Sequence, residues 1–468
     1  MAGIGFELRG AVAREAGLVE RVRAWTAAGL ISSGPWLATV AVLLYLHVAA
    51  PFLASGADYA QFRGLVTYAF AFSLISVGLL QMPVTRHLAD RLWLGRHAEV
   101  LPGFVAVLAL TGVVQAAVAA CAAAALELPR AAALTGVALY VTCSWTWVSL
   151  VWLGAARDYG LVLRAYAYGG GATVLASCVP PLLRAIDAEL AASFEGVSGL
   201  LAVFTLGQAV TLLLLASAVA RGVRPSEERS AGVLASAAQH PRLLALGALY
   251  AVGMWADKFV FWAVDGVPLL GPLRHHPLYD ACSFLAYGTV VPALALHLVR
   301  TETGFYERYR DFYAAITEDG TLAEVRAAKE RMLRTLRGSV VRLVRLQAWF
   351  TLAALILAPE VLVRLGMPPA AVPVFRVLAV GAYFHVLFLL TVLVHLYFDR
   401  QRTALTAVGT FAVANTLLPF CAAAGSPGVY GVGYALAALI GLSVGFLGLL
   451  RDLGRLEWLT FERELRRP

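Results

Sequence analysis

Apolar residues fall in long unbroken runs along this chain, and charged residues gather in the intervals between them. Runs occur at 24–49, 62–84, 100–126, 131–156, 161–183, 196–220, 242–264, 278–299, 341–363, 374–398, 403–424 and 428–450. Each has roughly twenty residues or more, enough at about 1.5 Å per residue to cross a hydrocarbon layer of about 30 Å. Because the runs are continuous rather than alternating, they predict helices and not the strands of a barrel. The expected fold is an all-α polytopic membrane protein with twelve transmembrane helices, six on either side of a basic connection at 221–241.

Charge supports this count. Thirty of the 37 lysines and arginines fall in the N-terminal segment, in every second connection and in the C-terminal tail; six fall in the opposite connections, and Lys258 lies within a span. Cytoplasmic loops retain Lys and Arg, so the alternation predicts twelve crossings with both termini cytoplasmic. The predicted organisation is an amphipathic surface helix at 1–23, an N-terminal lobe at 24–220, the connection at 221–241, a C-terminal lobe at 242–450 and a tail at 451–468. Within the second lobe, residues 300–340 form a charged cytoplasmic helical arm, with i,i+4 pairs such as Glu330–Arg334. Glu360 and Arg364 have the same spacing and are expected to pair locally.

Composition narrows the class. The 468 residues are 60% hydrophobic and 14% charged, with a mean hydropathy of +0.75, whereas soluble domains carry about 25% charge. The net charge of +8 is assigned to loop arginines, not to nucleic-acid binding. The start of the chain does not read as a cleaved signal, because some twenty mixed residues precede too long an apolar run. Cys121, Cys143, Cys178, Cys282 and Cys421 are unclustered and read as small apolar fillers. Walker, nucleophile-elbow and zinc-ligand motifs do not occur, so an enzyme, a bound cofactor and a metal site are not expected. His275-His276 reads as part of a solvated loop.

Ionisable groups inside apolar spans are expensive, which makes them functional candidates. Asp257 and Lys258 stand side by side in "GMWADKFVFW", and the chain has 35 arginines but only two lysines. Helical neighbours point about 100° apart, so each of the two is expected to need a separate partner. Lys258 shares a face with Asp265. Further candidates for a transport path or coupling are Asp280, Tyr287, Arg376, Tyr383 and His385, with Tyr279 and His395 nearby. "SSGPW" is expected to interrupt the first span, with Gly34 and Pro35 as a hinge. Trp145, Trp147, Trp152, Trp255, Trp262, Tyr166, Tyr168 and Tyr287 offer either stacking surfaces or interfacial belts.

"MAGIGFELR" at 1–9, "AGLISSGPW" at 28–36, "WADKFVFW" at 255–262, "HPLYDACSFLAYGTVVPALAL" at 276–296 and "ETGFYERYRDFY" at 302–313 resemble the PelG family. These are inner-membrane transporters of bacterial Pel exopolysaccharide systems. The chain departs from the family pattern at Gly288, where a bulkier residue is expected. The resemblance implies a fold like that of the multidrug/oligosaccharidyl-lipid/polysaccharide exporters, with two six-helix lobes around a central cavity. It also implies export of an N-acetylhexosamine-rich polymer for a biofilm matrix. The implied partners are a cytosolic glycosyltransferase and other Pel inner-membrane proteins, including a cyclic di-GMP receptor. Alternatives are a lipid-linked oligosaccharide flippase, an ion-coupled antiporter of the same fold, and a scaffold for a cytosolic synthase. A membrane-embedded polymerase is disfavoured by the short far-side loops.

Overall fold

A computed structural model describes residues 18–156, 159–186, 196–222, 232–300, 304–318, 320–423 and 425–465. Most of the predicted surface helix at 1–23, the middle of the 221–241 connection and the end of the tail lie outside these residues. The helices are α1 (Leu18–Leu53), α2 (Gly56–Trp93), α3 (Val100–Ala125), α4 (Arg130–Ala156), α5 (Tyr159–Ser177), α6 (Val179–Ile186), α7 (Gly196–Arg221), α8 (Gly232–Ala238) and α9 (Pro241–Asp265). After a hairpin, β1 (Val267–Leu270) and β2 (Leu273–His275), come α10 (Pro277–Gly288), α11 (Val291–Arg300), α12 (Tyr306–Thr317), α13 (Leu322–Arg364), α14 (Ala371–Tyr397), α15 (Gln401–Ala423), α16 (Val432–Gly454) and α17 (Leu456–Leu465). Among the described residues, ten helical segments are long and apolar enough to cross a membrane, and Ser33–Ala49 of α1 is a shorter apolar stretch. The chain is a helical membrane protein.

Local signals explain several boundaries. Ser55 and Asp58 form a reciprocal capping box at the start of α2, and Thr321 with Glu324 does the same for α13. At the end of α2, Gly95 takes φ +71°, and the Arg96 amide donates back to the Arg91 carbonyl at 2.9 Å, closing the helix in a left-handed cap. α13 runs unbroken for 43 residues, about 65 Å at 1.5 Å per residue. The second half of the charged arm, from Leu322, and the ninth apolar run are therefore one helix, since nothing in "RMLRTLRGSVVRLVR" stops it, while the first half of the arm forms the separate helix α12. Along α13, Arg364 meets Glu360 at 2.7 Å, whereas Arg334 Nε donates to the Glu330 carbonyl at 3.4 Å.

Two predicted features need correction. "SSGPW" does not interrupt the first helix: α1 continues through Gly34 and Pro35. Proline removes only its own donor, and the rest of the ladder carries the helix past it. Thr39 Oγ1 donates to the Pro35 carbonyl at 2.9 Å. The interruption instead falls in the eighth run, between α10 and α11 at Thr289-Val290. There Pro292 lacks the N–H that the Gly288 carbonyl would have accepted, and Gln347 Nε2 of α13 donates to the Thr289 carbonyl at 2.9 Å.

The helices group into two compact units. The first holds Gly34–Trp255 with Gly266–His275; the second holds the described residues up to Ser33, Ala256–Asp265 and the described residues from His276 onward. In the first unit, α4 packs on α2, α3 and α7, and α5 packs on α7. The α5–α7 contact is built from small residues. A Cβ on Gly169 would meet Thr211 Oγ1 at 1.9 Å, and one on Gly207 would meet Thr173 Oγ1 at 1.9 Å. The pattern is reciprocal, Gly-x-x-x-Thr on each helix, and it lets two backbones touch where lipid supplies no hydrophobic drive. The hairpin pairs Val267 with His275 and Leu270 with Leu273; it is anchored by Tyr68, whose hydroxyl donates to the Arg274 carbonyl at 2.7 Å.

In the second unit, α16 packs against α14 and α15, and α10 and α13 against α14. A separate apolar cluster lies at the arm. Phe305, Phe312, Val325, Met332 and Leu336 are buried with Phe398, Leu449 and Leu456. The arm is therefore seated on the ends of α14 and α16 and not freely projecting.

Candidate functional site

The polar cluster is wholly in the second unit, on the last part of α9 and on α10, α14, α15 and α16. Asp257 is 0% exposed and Lys258 7%. Lys258 Nζ donates to both carboxylate oxygens of Asp257 at 3.0 Å. The expectation that helical neighbours cannot pair is thus wrong here. The Cβ directions diverge by about 100°, but the four-methylene lysine stem bends back across that angle. Leaving either charge unpaired in an apolar interior would cost more than the rotamer freedom lost.

Two more donors complete the carboxylate. The Tyr279 hydroxyl donates to Asp257 Oδ2 at 2.7 Å, and Asn415 Nδ2 donates to Oδ1 at 3.2 Å. Asp257 therefore joins α9, α10 and α15. The lysine faces aromatic rings: Nζ lies 5.2 Å from the Tyr287 centroid and 5.6 Å from that of Tyr434, within cation–π range. His385 stacks on Tyr434 at 5.9 Å and meets Tyr287 edge-on at 6.0 Å. The pair is thus divided in character. Asp257 is a fixed acceptor with no exposure, and Lys258 is a cation in an aromatic cage that keeps a small exposed area.

A second network lies toward the end of α9. The Tyr279 backbone N–H donates to His276 Nδ1 at 3.1 Å. With Nδ1 accepting, the imidazole carries its proton on Nε2, which donates to Asp265 Oδ2 at 3.0 Å. The Tyr430 hydroxyl donates to the same oxygen. Trp262 Nε1 donates to Asp280 at 2.8 and 3.0 Å, and the His276 amide donates to Asp280 Oδ2 at 3.2 Å. His276 is thus the buried N-cap of α10 and not a loop histidine in solvent. Tyr279 links the two networks, because its amide meets His276, its hydroxyl meets Asp257, and its ring stacks on Phe261 at 3.9 Å.

The structure brings Asp257, Lys258, Tyr287 and His385 together and places Asp280 in the adjoining network. Arg376 and Tyr383 are elsewhere. Arg376 is exposed and donates to the Leu355 carbonyl at 3.0 Å, while half-buried Tyr383 lies against Phe384 at 5.4 Å. His395 of α14 packs against α16, with Nε2 at 2.9 Å from the Gly445 carbonyl. Several of the proposed stacking aromatics bind helices together. The Trp145, Trp147 and Trp152 indoles donate to the Leu108 carbonyl at 2.9 Å, Ser73 Oγ at 3.1 Å and the Val100 carbonyl at 3.2 Å. Sequence reasoning missed Asn415 and Tyr434. Asn415 carried a signal, being the only asparagine in the chain and lying in an apolar run.

The helical architecture is similar to that of solved membrane transporters of the MOP superfamily. An outward-facing multidrug resistance MATE transporter of that superfamily is 15% identical, with a TM-score of 0.59, covering 92% of this chain and 96% of that one. A point mutant of the Vibrio cholerae MATE transporter VcmN is 15% identical, with a TM-score of 0.60 and coverage of 99% and 98%. A MOP transporter from Pyrococcus furiosus, described as having reversed polarity of its binding pocket, is 14% identical, with a TM-score of 0.57 and coverage of 98% and 99%. No curated protein shows a significant match. A family profile decides the closer relationship. Residues 1–461 match PelG, described as "Putative exopolysaccharide Exporter (EPS-E)", and the chain belongs to that family.

Proposed function

We propose that this chain moves an N-acetylhexosamine-rich exopolysaccharide of the Pel kind across the bacterial inner membrane, supplying a biofilm matrix. The observation that carries the reading is the family match over residues 1–461, joined to a transporter fold. In this reading both termini are cytoplasmic and twelve spans form two lobes, in keeping with the alternating arginine distribution. A cytosolic glycosyltransferase delivers the growing polymer, and other Pel inner-membrane proteins, among them a cyclic di-GMP receptor, are the expected partners.

Within that reading, Lys258 with Tyr287, His385 and Tyr434 lines or gates the path, and Asp257 holds the lysine in place. Hydroxyl-rich sugars suit such a setting, since aromatic faces and a cation offer both stacking and hydrogen-bond donation. Arg376, Tyr383 and the Gly34–Pro35 segment remain outside this assignment. The test is export by cells carrying the synthase and either wild type, Asp257→Asn or Lys258→Met at matched membrane levels. A fall in secreted polymer for Lys258→Met supports the role. Full export by both variants removes these charges from the mechanism.

A further inference from the structure

The last described helix exposes aromatic side chains on one face. On α17, Trp458 is 61% exposed and Phe461 40%, and a spacing of three residues makes them neighbours on the helix surface. The other face is fixed. Leu456 and Thr460 are buried, and Leu456 belongs to the same apolar cluster as Met332 and Leu336 of α13. Glu457 meets Lys329 Nζ at 3.4 Å and Arg326 Nε at 4.0 Å, which ties α17 to the arm.

This corner stands clear of the bilayer. Glu457 is seven residues past the apolar run of α16, which ends at 450, and Lys329 is twelve residues before that of α13, which starts at 341. At about 1.5 Å per residue these separations are about 10 and 18 Å. Headgroups add about 5–8 Å to each side of the hydrocarbon, and the indoles of an interfacial belt lie within that layer. Trp458, one residue further out than Glu457, lies beyond it.

Beside the aromatic pair runs a face of one sign. Arg326, Arg331, Arg334, Arg337, Arg342 and Arg345 of α13 are all exposed. At about 100° per residue they fall within an arc of about 160°. Val325, Met332, Leu336 and Leu343 are buried on the opposite side. Among the described residues, Arg326 meets Glu457 and the other five form no salt bridge. Glu330 is the one acid in this stretch. The face is about 28 Å long, comparable with the width of an interface of about 800 Å² per partner. It is also preorganised, because α13 is capped at Thr321 and seated on the cluster beneath it.

Retention of a connection in the cytoplasm accounts for arginines anywhere along it. It does not account for an indole held in water beside them. We propose that the arginine face of α13 and the Trp458–Phe461 pair form one docking surface for an acidic face of a cytoplasmic protein. The two rings are its apolar anchors and the arginines its charged surround, the residue types enriched at protein interfaces. The proposal rests on the cytoplasmic placement of the arm in the reading above, and not on export. An N-acetylhexosamine polymer offers the arginines no counter-charge. A polyphosphate backbone would meet Glu330 within the stripe, whereas a protein face can match both signs.

The test is site-specific photo-cross-linking in native cells, with Trp458 of the full chain replaced by p-benzoylphenylalanine. Adducts are identified by mass spectrometry, including the segment of the partner that reacts. The expected product is one cytoplasmic protein joined through a segment of net negative charge. In the triple variant Arg331→Gln/Arg334→Gln/Arg337→Gln its yield should fall about tenfold or more, and Phe461→Ala should also lower it tenfold. Arg364→Gln, an exposed arginine at the far end of α13, should leave the yield unchanged. Fluorescence size-exclusion checks that each variant is folded, and the charge of the reacting segment is read without any variant. Adducts only with lipid, nucleic acid or a second copy of this chain overturn the proposal, as does the absence of an adduct. A neutral or basic reacting segment, or a yield indifferent to the triple variant, overturns it as well. Export is not the readout, so this surface and the transport reading fail separately.

Discussion

Neutralising Asp257 should destabilise the second unit strongly, and by more than neutralising the pair together. Its carboxylate is fully buried and accepts from Lys258, Tyr279 and Asn415. Asp257→Asn takes away the carboxylate that both Nζ contacts reach, leaving the lysine ammonium buried without that counter-charge. Breaking a buried pair from one side costs about 3–5 kcal/mol. For a folded body of about 150–250 residues, each kcal/mol moves Tm by about 2–4 °C, so the expected fall is roughly 6–20 °C. In Asp257→Asn/Lys258→Met both charges are gone, and the remaining cost is that of the lost hydrogen bonds, about 1–3 kcal/mol. The double variant should therefore be more stable than Asp257→Asn alone. Thermal unfolding in detergent can be followed with a thiol-reactive dye, because Cys282 and Cys143 are buried and free. The exposed Cys121, Cys178 and Cys421 set the starting signal. A double variant whose loss equals the sum of the single losses would refute the direct Asp257–Lys258 pairing.

Three further outcomes follow from the packing and hydrogen bonding. Gly207→Val should prevent the α5–α7 contact, because even a Cβ there falls 1.9 Å from Thr173 Oγ1; fluorescence size-exclusion should show little monodisperse protein, whereas Gly136→Val, with open space at that position, should behave as wild type. Trp262→Phe removes both indole hydrogen bonds to Asp280 and should cost about 1–3 kcal/mol in thermal unfolding, the penalty for a buried acceptor left short of donors. Gln347→Leu removes the donor to the Thr289 carbonyl and should speed amide exchange in residues 289–294 without altering exchange in α16, read by hydrogen–deuterium exchange mass spectrometry.

Helix placement was legible wherever a run of lipid-compatible residues stood between charged connections. The run at 196–220 lies in Gly196–Arg221, and that at 374–398 lies almost wholly in Ala371–Tyr397. Helix ends beyond the lipid were less legible. The cytosolic part of α13 is amphipathic rather than apolar, so hydropathy closes the segment near 341 while the backbone ladder continues from Leu322. The hairpin at Val267–His275 was missed because strands this short carry almost no periodicity. The break at Thr289-Val290 had a signal in Gly288 and Pro292, but Gly34-Pro35 carried the same signal without breaking a helix. What separates them is the tertiary donor Gln347, which no local pattern reveals.

The site was legible by cost and not by partner. Asp257 and Lys258 stood out because charge is rare in such a run, and that criterion also drew in Arg376, which satisfies itself on the Leu355 carbonyl away from the cluster. Pairing was misjudged because backbone directions were used for a side chain long enough to ignore them. Asn415 and Tyr434 are uncharged, and their convergence depends on how α14, α15 and α16 cross. Composition offered one clue, the solitary asparagine. His276 could be recognised as a cap only once α10 was known to begin at Pro277.

The measurement that bears most directly on the central claim is polymer translocation into inverted inner-membrane vesicles. Vesicles carrying the synthase with or without this chain are given labelled sugar nucleotide, and the product is then exposed to an added glycoside hydrolase. With the chain present, labelled polymer should become protected inside the vesicles, and detergent should make it digestible again. Without the chain, the polymer should stay outside and be digested. Equal protection with and without the chain would contradict the account.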